Sequence, residues 1–185
     1  MPAWRKLRQT YGATSQILHW LVAFFVFAML ALGWGREIAP GAWRPAMIDL
    51  HKSIGFCILC LMMIRTAWRL YRGAPRLPEG MGKLSAYAAA AVHALLYGFL
   101  LLMPVSGWLM LSAAGRPAQI FGLDLPALME KDRNLLPFFK ELHEIAAYGL
   151  SALIALHVLA ALYHHYIRKD DILRRMLPFI KRGHI

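Results

Sequence analysis

The stretch IAAYGLSALIALHVLAALYHHYI, residues 145–167, decides the fold of this 185-residue chain. It contains no Asp, Glu, Lys or Arg, and most of its side chains are apolar. A helix needs about 20 such residues to cross the hydrocarbon core of a bilayer. The stretch therefore predicts a membrane-spanning helix.

Three further uncharged stretches precede it, at residues 17–35, 53–64 and 84–114. The shortest one reaches spanning length if it takes in His51 and the residues up to Trp68. We therefore predict an all-α integral membrane protein, a four-transmembrane-helix bundle that forms a single domain over residues 1–185. The predicted helices cover approximately residues 14–36, 50–70, 84–113 and 143–168.

Sequence features also bear on the segments around these helices. Pro104 predicts a kink in the third helix. The polar segment from Gly115 to Glu144 predicts a short surface helix. The first apolar stretch follows basic residues, but it is too long for a signal-peptide core and lacks a small-x-small cleavage site, so we interpret it as a retained helix.

The composition agrees with a membrane protein. Hydrophobic residues make up 59% of the chain and charged residues 17%, against about 45–50% and 25% in soluble domains. These values exclude a disordered chain and disfavour a soluble enzyme. Cys57 and Cys60 lie in an apolar run without a following His, so they predict small packing residues rather than covalent haem attachment.

The distribution of positive charge predicts the topology. Fourteen of the 21 Lys and Arg residues lie in the N-terminal segment, in the segment at residues 65–83 and in the C-terminal tail. The other seven lie on the opposite side, together with seven acidic residues. By the positive-inside rule, both termini are cytoplasmic. The net charge of +11 therefore reflects membrane topology, and no nucleic-acid partner is predicted.

Histidines inside the predicted spans carry the strongest functional signal, because ionisable residues there are costly. His143 and His157 are 14 residues apart, which places them within about 40° of one helix face and about 21 Å apart in depth. His51 begins the second helix on the outer side, level with His143, and His19 lies in the inner half with His157. Each of these two pairs could hold a flat metal macrocycle from opposite sides.

Two other interpretations of these histidines remain open. A buried His can be a packing residue that hydrogen-bonds to a carbonyl or hydroxyl group, and His93 taken singly favours that reading. Zinc is the second alternative, although zinc transport sites usually include carboxylates. None of the four uncharged stretches contains Asp or Glu, which argues against zinc transport and against a proton-relay transporter. Gly33 and Gly55 could allow a close approach of helices or of a flat ring.

Several motifs together resemble the bacterial cytochrome b561 family over nearly the whole chain. They are His19-Trp20-Leu21, His51-Lys52-Ser53-Ile54-Gly55, Arg65-Thr66-Ala67-Trp68-Arg69, Pro104-Val105-Ser106-Gly107-Trp108, His143-Glu144, His157 and Tyr163-His164-His165-Tyr166. The resemblance implies a four-helix bundle of the bacterial inner membrane that encloses two b-type haems. Carried over by position, the axial ligands of the iron are His19, His51, His143 and His157.

The resemblance also implies an activity, that of a superoxide oxidase. In that activity periplasmic superoxide passes an electron through two non-covalent, bis-His haems b to ubiquinone. Superoxide is an anion, so positive charge near the outer haem would raise its encounter rate. Lys52, Arg36, Arg44 and Lys140 are the candidate bases, although Glu37, Asp49, Glu141 and Glu144 lie among them.

Candidate residues for other ligands are less well defined by sequence. Candidates for the haem propionates are Arg8, Arg65, Arg69 and Lys169. Candidates for a quinone site are His93, His164 and Tyr163. The predicted partners are therefore quinone, superoxide or another periplasmic electron donor, and membrane lipid.

Two further functions remain open at this point. The chain could be a non-catalytic cytochrome b subunit that links the quinone pool to a partner dehydrogenase or periplasmic protein. It could also be a haem-free transporter or structural bundle.

Overall fold

The structure is a computed structural model, and it describes residues 11–73, 75 and 82–177. Its long helices are α1 (Ala13–Ile38), α2 (Arg44–Arg72), α3 (Lys83–Ala113) and α4 (Leu136–Tyr163). A short 3₁₀ turn, Gly41–Trp43, leads into α2, and a π-helical turn, His164–Arg168, continues α4. A second 3₁₀ turn covers Arg174–Met176.

The described residues contain four helical segments that are long and apolar enough to cross a membrane. Large apolar side chains on their outer faces, such as Phe24 and Phe27 on α1, are exposed in the isolated chain. An exposed apolar surface of this extent fits lipid better than water. The predicted four-helix membrane architecture is therefore confirmed.

Helices α2 and α4 begin earlier than predicted, by six and seven residues respectively. Each has a proline in its first turn, Pro45 in α2 and Pro137 in α4. Proline suits this position because its fixed φ is helical and its missing N–H would have no partner there. Because of these extra turns, His51 and His143 lie inside α2 and α4 and not at their first residues.

The surface helix predicted between Gly115 and Glu144 is wrong. The segment instead forms an antiparallel hairpin of β1 (Ala118–Ile120) and β2 (Leu123–Leu125). Phe121 and Gly122 connect the strands with φ values of 49° and 81°, as a two-residue hairpin turn of the I′ type requires. The Phe121 N–H donates a hydrogen bond to Ser53 Oγ on α2, so the hairpin is fixed at the end of the bundle that carries His51. We call this end the outer end, after the predicted topology, and the opposite end the inner end.

The helices pack in sequence order, with α2 against α1, α3 against α2 and α4 against α3. The main core lies between α1 and α2, where Val22 and Val26 pack against Ile54, Ile58 and Met62. Helix α3 runs through Pro104 without a break. In the described part of the chain, α4 meets α1 through facing rings such as those of Trp34 and Tyr148, and a cavity lies between α4, α1 and α2.

Close packing of α3 and α4 depends on Gly149 at mid-height. A Cβ at Gly149 would lie 2.9 Å from Cε1 of Phe99 on α3. We expect Gly149→Ala to destabilise the bundle by about 1–2 kcal/mol, because the Phe99 ring has to move. Thermal unfolding in detergent measures the change.

Gly98→Ala is the matched control for this substitution. A Cβ at Gly98 meets nothing within 4 Å. The substitution is therefore expected to leave stability unchanged or to raise it slightly, because Ala has the higher helix propensity. Equal melting temperatures for the two variants would contradict the packing argument.

Candidate functional site

Near the outer end of the bundle, His51 on α2 faces His143 on α4. Their ring centroids are 6.3 Å apart, and the ring planes are inclined by 66°. Both rings line a cavity of about 560 Å³ between the helices, and β1 and β2 contribute to its wall. A cavity of this volume is in the range of cofactor sites.

A glycine lies against each of these imidazoles, and only the contact at Gly107 is tighter than ordinary van der Waals contact. A Cβ at Gly33 of α1 would lie 3.6 Å from Cε1 of His51. A Cβ at Gly107 of α3 would lie 3.3 Å from Cε1 of His143. The sequence predicts a close approach of a helix or of a flat ring at Gly33, and it gives no sign of the contact at Gly107. Gly55, the other candidate, faces Met29 instead, at 3.4 Å.

The second predicted pair lies nearer the inner end of the bundle. His19 on α1 and His157 on α4 have ring centroids 6.2 Å apart and planes inclined by 73°. His93 on α3 is a third histidine here, with its ring centroid 5.3 Å from that of His157. Its Nδ1 lies 2.6 Å from the carbonyl oxygen of Ala89. The structure thus brings together both pairs that the spacing predicted.

Two arginines lie beside the inner pair. Arg65 Nε donates a hydrogen bond to the Tyr97 hydroxyl group at 3.0 Å. The guanidinium groups of Arg65 and Arg69 both lie over the Tyr97 ring, at 5.5 and 5.6 Å from its centroid. The ion pairs found among the described residues include neither arginine. Two such cations suit a carboxylate ligand.

The other two propionate candidates are Arg8 and Lys169. Arg8 lies outside the described residues. Lys169 follows the π-helical turn in a left-handed conformation.

Residues 170–177, called here the C-terminal segment, lie against the inner end of the bundle, a contact that the sequence does not predict. Gln16 Nε2 donates to the Arg175 carbonyl group at 3.0 Å, and Trp20 Nε1 donates to that of Met176 at 2.7 Å. His164 Nδ1 pairs with the Asp170 carboxylate. These contacts fix the segment against α1 beside His19, and a backbone carbonyl acceptor leaves no residue-specific signal in the sequence.

Charges at the edge of the outer cavity are mixed. Lys52 and Lys140 line it together with Glu37 and Glu144. Lys52 is paired with Asp49 at 2.6 Å. This edge therefore offers little excess positive charge.

The two remaining candidate bases are Arg44 and Arg36. Arg44 donates to the carbonyl groups of Ala39 and Glu37, so it holds the turn before α2. The side chain of Arg36 is outside the description.

The separation of the rings fits an iron between them. An imidazole nitrogen binds a first-row metal ion at about 2.0–2.1 Å, which puts the ring centroids of two opposed imidazoles roughly 6.3 Å apart. Among the described residues, no group of three or more His, Cys, Asp or Glu could hold a metal ion. Zinc usually takes four ligands, so two-histidine sites suit a metal that brings its own equatorial ligands.

Comparison with known proteins identifies the family. The profile described as prokaryotic cytochrome b561 matches residues 10–179 of this chain. The chain belongs to the prokaryotic cytochrome b561 family. Membership implies a b-type haem and electron transfer in a membrane by a multi-pass protein.

Individual members of the family are similar over most of their length. Cytochrome b561 homolog 2 of Escherichia coli is 36% identical over 91% of this chain and 92% of its own. A probable superoxide oxidase, CybB, of Yersinia pestis is 32% identical over 96% of this chain and all of its own. Cytochrome b562 of Cereibacter sphaeroides is 30% identical over 86% of this chain and 90% of its own.

The tight contact at Gly107 predicts an effect on haem binding. In Gly107→Ala the new methyl group pushes His143 away by a few tenths of an ångström. If His143 is a haem ligand, we expect haem to dissociate from this level about tenfold faster. Haem loss to an excess of apomyoglobin, followed by absorption, measures the rate. Gly98→Ala is the control, and unchanged haem loss from Gly107→Ala would show that the glycine is not needed by the ligand.

Proposed function

We propose that this member of the family is a di-haem b cytochrome that moves electrons across the bacterial inner membrane. His51 and His143 bind the iron of an outer haem, and His19 and His157 bind the iron of an inner haem. The observation that carries the proposal is the pairing of four histidines at two depths, with ring separations of 6.3 and 6.2 Å.

The arrangement of the pairs suits electron transfer across a membrane. His143 and His157 lie on one face of α4, separated by about 21 Å along the helix axis. A haem at each level, when bound, supplies a one-electron carrier. With two imidazoles from the chain bound to its iron, such a haem would have no place for dioxygen and would suit electron transfer alone.

The proposed topology places the termini in the cytoplasm. Four spans put both ends of the chain on one side of the membrane, and that side carries fourteen of the 21 Lys and Arg residues. The His51–His143 pair then lies near the periplasm, and the His19–His157 pair lies near the cytoplasm.

The proposed reaction is that of a superoxide:ubiquinone oxidoreductase. Two superoxide anions give up one electron each on the periplasmic side and become dioxygen. Ubiquinone takes up the two electrons, together with two protons, on the inner side and becomes ubiquinol. Support comes from the similarity to the probable superoxide oxidase of Yersinia pestis over nearly the whole chain.

The inner level is the proposed location of the quinone. His93 lies beside His157, and its Nδ1 proton points to the Ala89 carbonyl oxygen, which leaves Nε2 to accept a hydrogen bond from a hydroxyl group of ubiquinol. Tyr163 is half-exposed at the end of α4. His164 is the third candidate, and its Nδ1 is paired with the Asp170 carboxylate.

A non-catalytic electron carrier is the second candidate function. The balanced charges at the edge of the outer cavity favour it, since Lys52 is neutralised by Asp49 and Glu37 and Glu144 lie beside Lys140. Such an edge attracts a small anion weakly. In this case the donor is a periplasmic protein or a partner dehydrogenase, and the route through the two histidine pairs is the same.

The haem content of purified protein tests the proposed ligands. We expect about two haems b per chain by pyridine haemochrome, with a sharp α-band on reduction, because both irons are six-coordinate. His51→Ala or His143→Ala is expected to remove one haem, and His19→Ala or His157→Ala the other.

His165→Ala serves as the control for these variants, because His165 contacts Tyr166 and belongs to neither pair. It is expected to keep both haems. Loss of the same haem from His143→Ala and His157→Ala would refute the assignment of the pairs to two levels.

Stopped-flow reduction by superoxide separates the two candidate functions. For an oxidase, we expect fast haem reduction that Lys140→Glu slows several-fold, because the substitution removes a positive charge from the edge of the outer cavity. Lys83→Glu makes the same charge change at the opposite end of the bundle and is expected to have no effect. If superoxide reduces the haems no faster than it reduces an unspecific haem protein, the carrier function holds.

A further inference from the structure

Ser106 is a fully buried polar residue on α3. Its Oγ lies 2.8 Å from the carbonyl oxygen of Met103 and 2.9 Å from Nδ1 of His143. Gly107 follows it and allows the His143 ring to come close. A buried hydroxyl group in hydrogen-bond contact with a candidate metal ligand can control that ligand's chemistry.

Counting protons decides the direction of these hydrogen bonds. A serine hydroxyl group has one proton to donate and can accept as well. The Met103 carbonyl oxygen can only accept, so at 2.8 Å it receives the Ser106 proton. The bond to His143 therefore runs from the imidazole Nδ1–H to Ser106 Oγ. That tautomer leaves Nε2 of His143 without a proton and able to bind a metal.

The two levels of the bundle differ in this respect. At the inner level, His19 and His157 lie near the rings of Trp20 and His93 and near the charge of Arg65, and the side-chain hydrogen bonds of the described residues include neither imidazole. At the outer level, the Nδ1–H of His143 meets a hydroxyl oxygen inside the protein. A hydrogen bond from Nδ1–H makes Nε2 a stronger electron donor to its metal. A stronger donor favours the oxidised iron and lowers the reduction potential.

We propose that Ser106 is a positioning residue that holds His143 in its Nδ1–H tautomer and lowers the reduction potential of the outer haem relative to the inner one. The inference rests on the proposed function, since it needs both haems. The consequence is a preferred direction of electron transfer, because electrons that enter from the outer side then pass to a carrier with the higher reduction potential.

Potentiometric titration of the purified holoprotein tests the proposal. In Ser106→Ala, the haem transition assigned to the outer level is expected to shift to higher potential, and the inner transition is expected to stay in place. The transitions are assigned with His19→Ala, which retains the outer haem, and the Ser106→Ala shift is measured again in that background.

Two further variants distinguish an effect of the Ser106 hydroxyl group on the reduction potential from an effect on packing. Ser151→Ala removes a hydroxyl group that is bonded to the Ala147 carbonyl oxygen on α4, and it is expected to move neither potential. Ser106→Thr restores a hydroxyl group that can bond the same carbonyl, and it is expected to return the outer transition towards its original potential.

The outcomes distinguish a failure of the role proposed for Ser106 from a failure of the proposed function. Absence of two haems in the unmodified protein would overturn the proposed function. Two haems whose potentials are the same in Ser106→Ala and in the unmodified protein would overturn the role of Ser106 alone. Equal loss of the outer haem from Ser106→Ala and Ser106→Thr would assign Ser106 to packing and also overturn it.

Discussion

An imidazole in the interior of a membrane protein has no water to satisfy its nitrogens, so the protein or a ligand has to do it. This constraint governs the bundle. His51 and His143 face each other across a cavity, and His19 and His157 face each other nearer the inner end. The helices that carry each pair hold the two ring centroids 6.3 and 6.2 Å apart. The remaining contacts, α3 against α4 and α1 against α2, close the bundle around these gaps.

Much of this arrangement could be predicted from the sequence because it follows from helical periodicity and from the membrane. Uncharged stretches of spanning length give the helices, and a spacing of 14 residues puts His143 and His157 on one face of α4. Depth relative to the membrane then selects a partner for each. The starts of α2 and α4 were missed, although Pro45 and Pro137 signal them, because the extra turns contain charged residues.

Other features could not be predicted, since they depend on contacts between residues far apart in the sequence. The hairpin over the outer cavity has Phe at a turn position where Asn, Asp or Gly is usual, and a bond to Ser53 fixes it. Gly107 and Ser106 are ordinary helix residues until α4 brings His143 against them. The C-terminal segment is held to α1 through its backbone carbonyl groups, whatever its side chains are.

Helix α4 supplies one histidine to each pair, and it is the last of the long helices in the chain. During synthesis from the N-terminus, His19 and His51 therefore enter the membrane well before either has its counterpart. Insertion of α4 completes both pairs at once, and the segment that follows then ties back onto α1. The topology thus sets an order of assembly in which the last described long helix, α4, completes both histidine pairs.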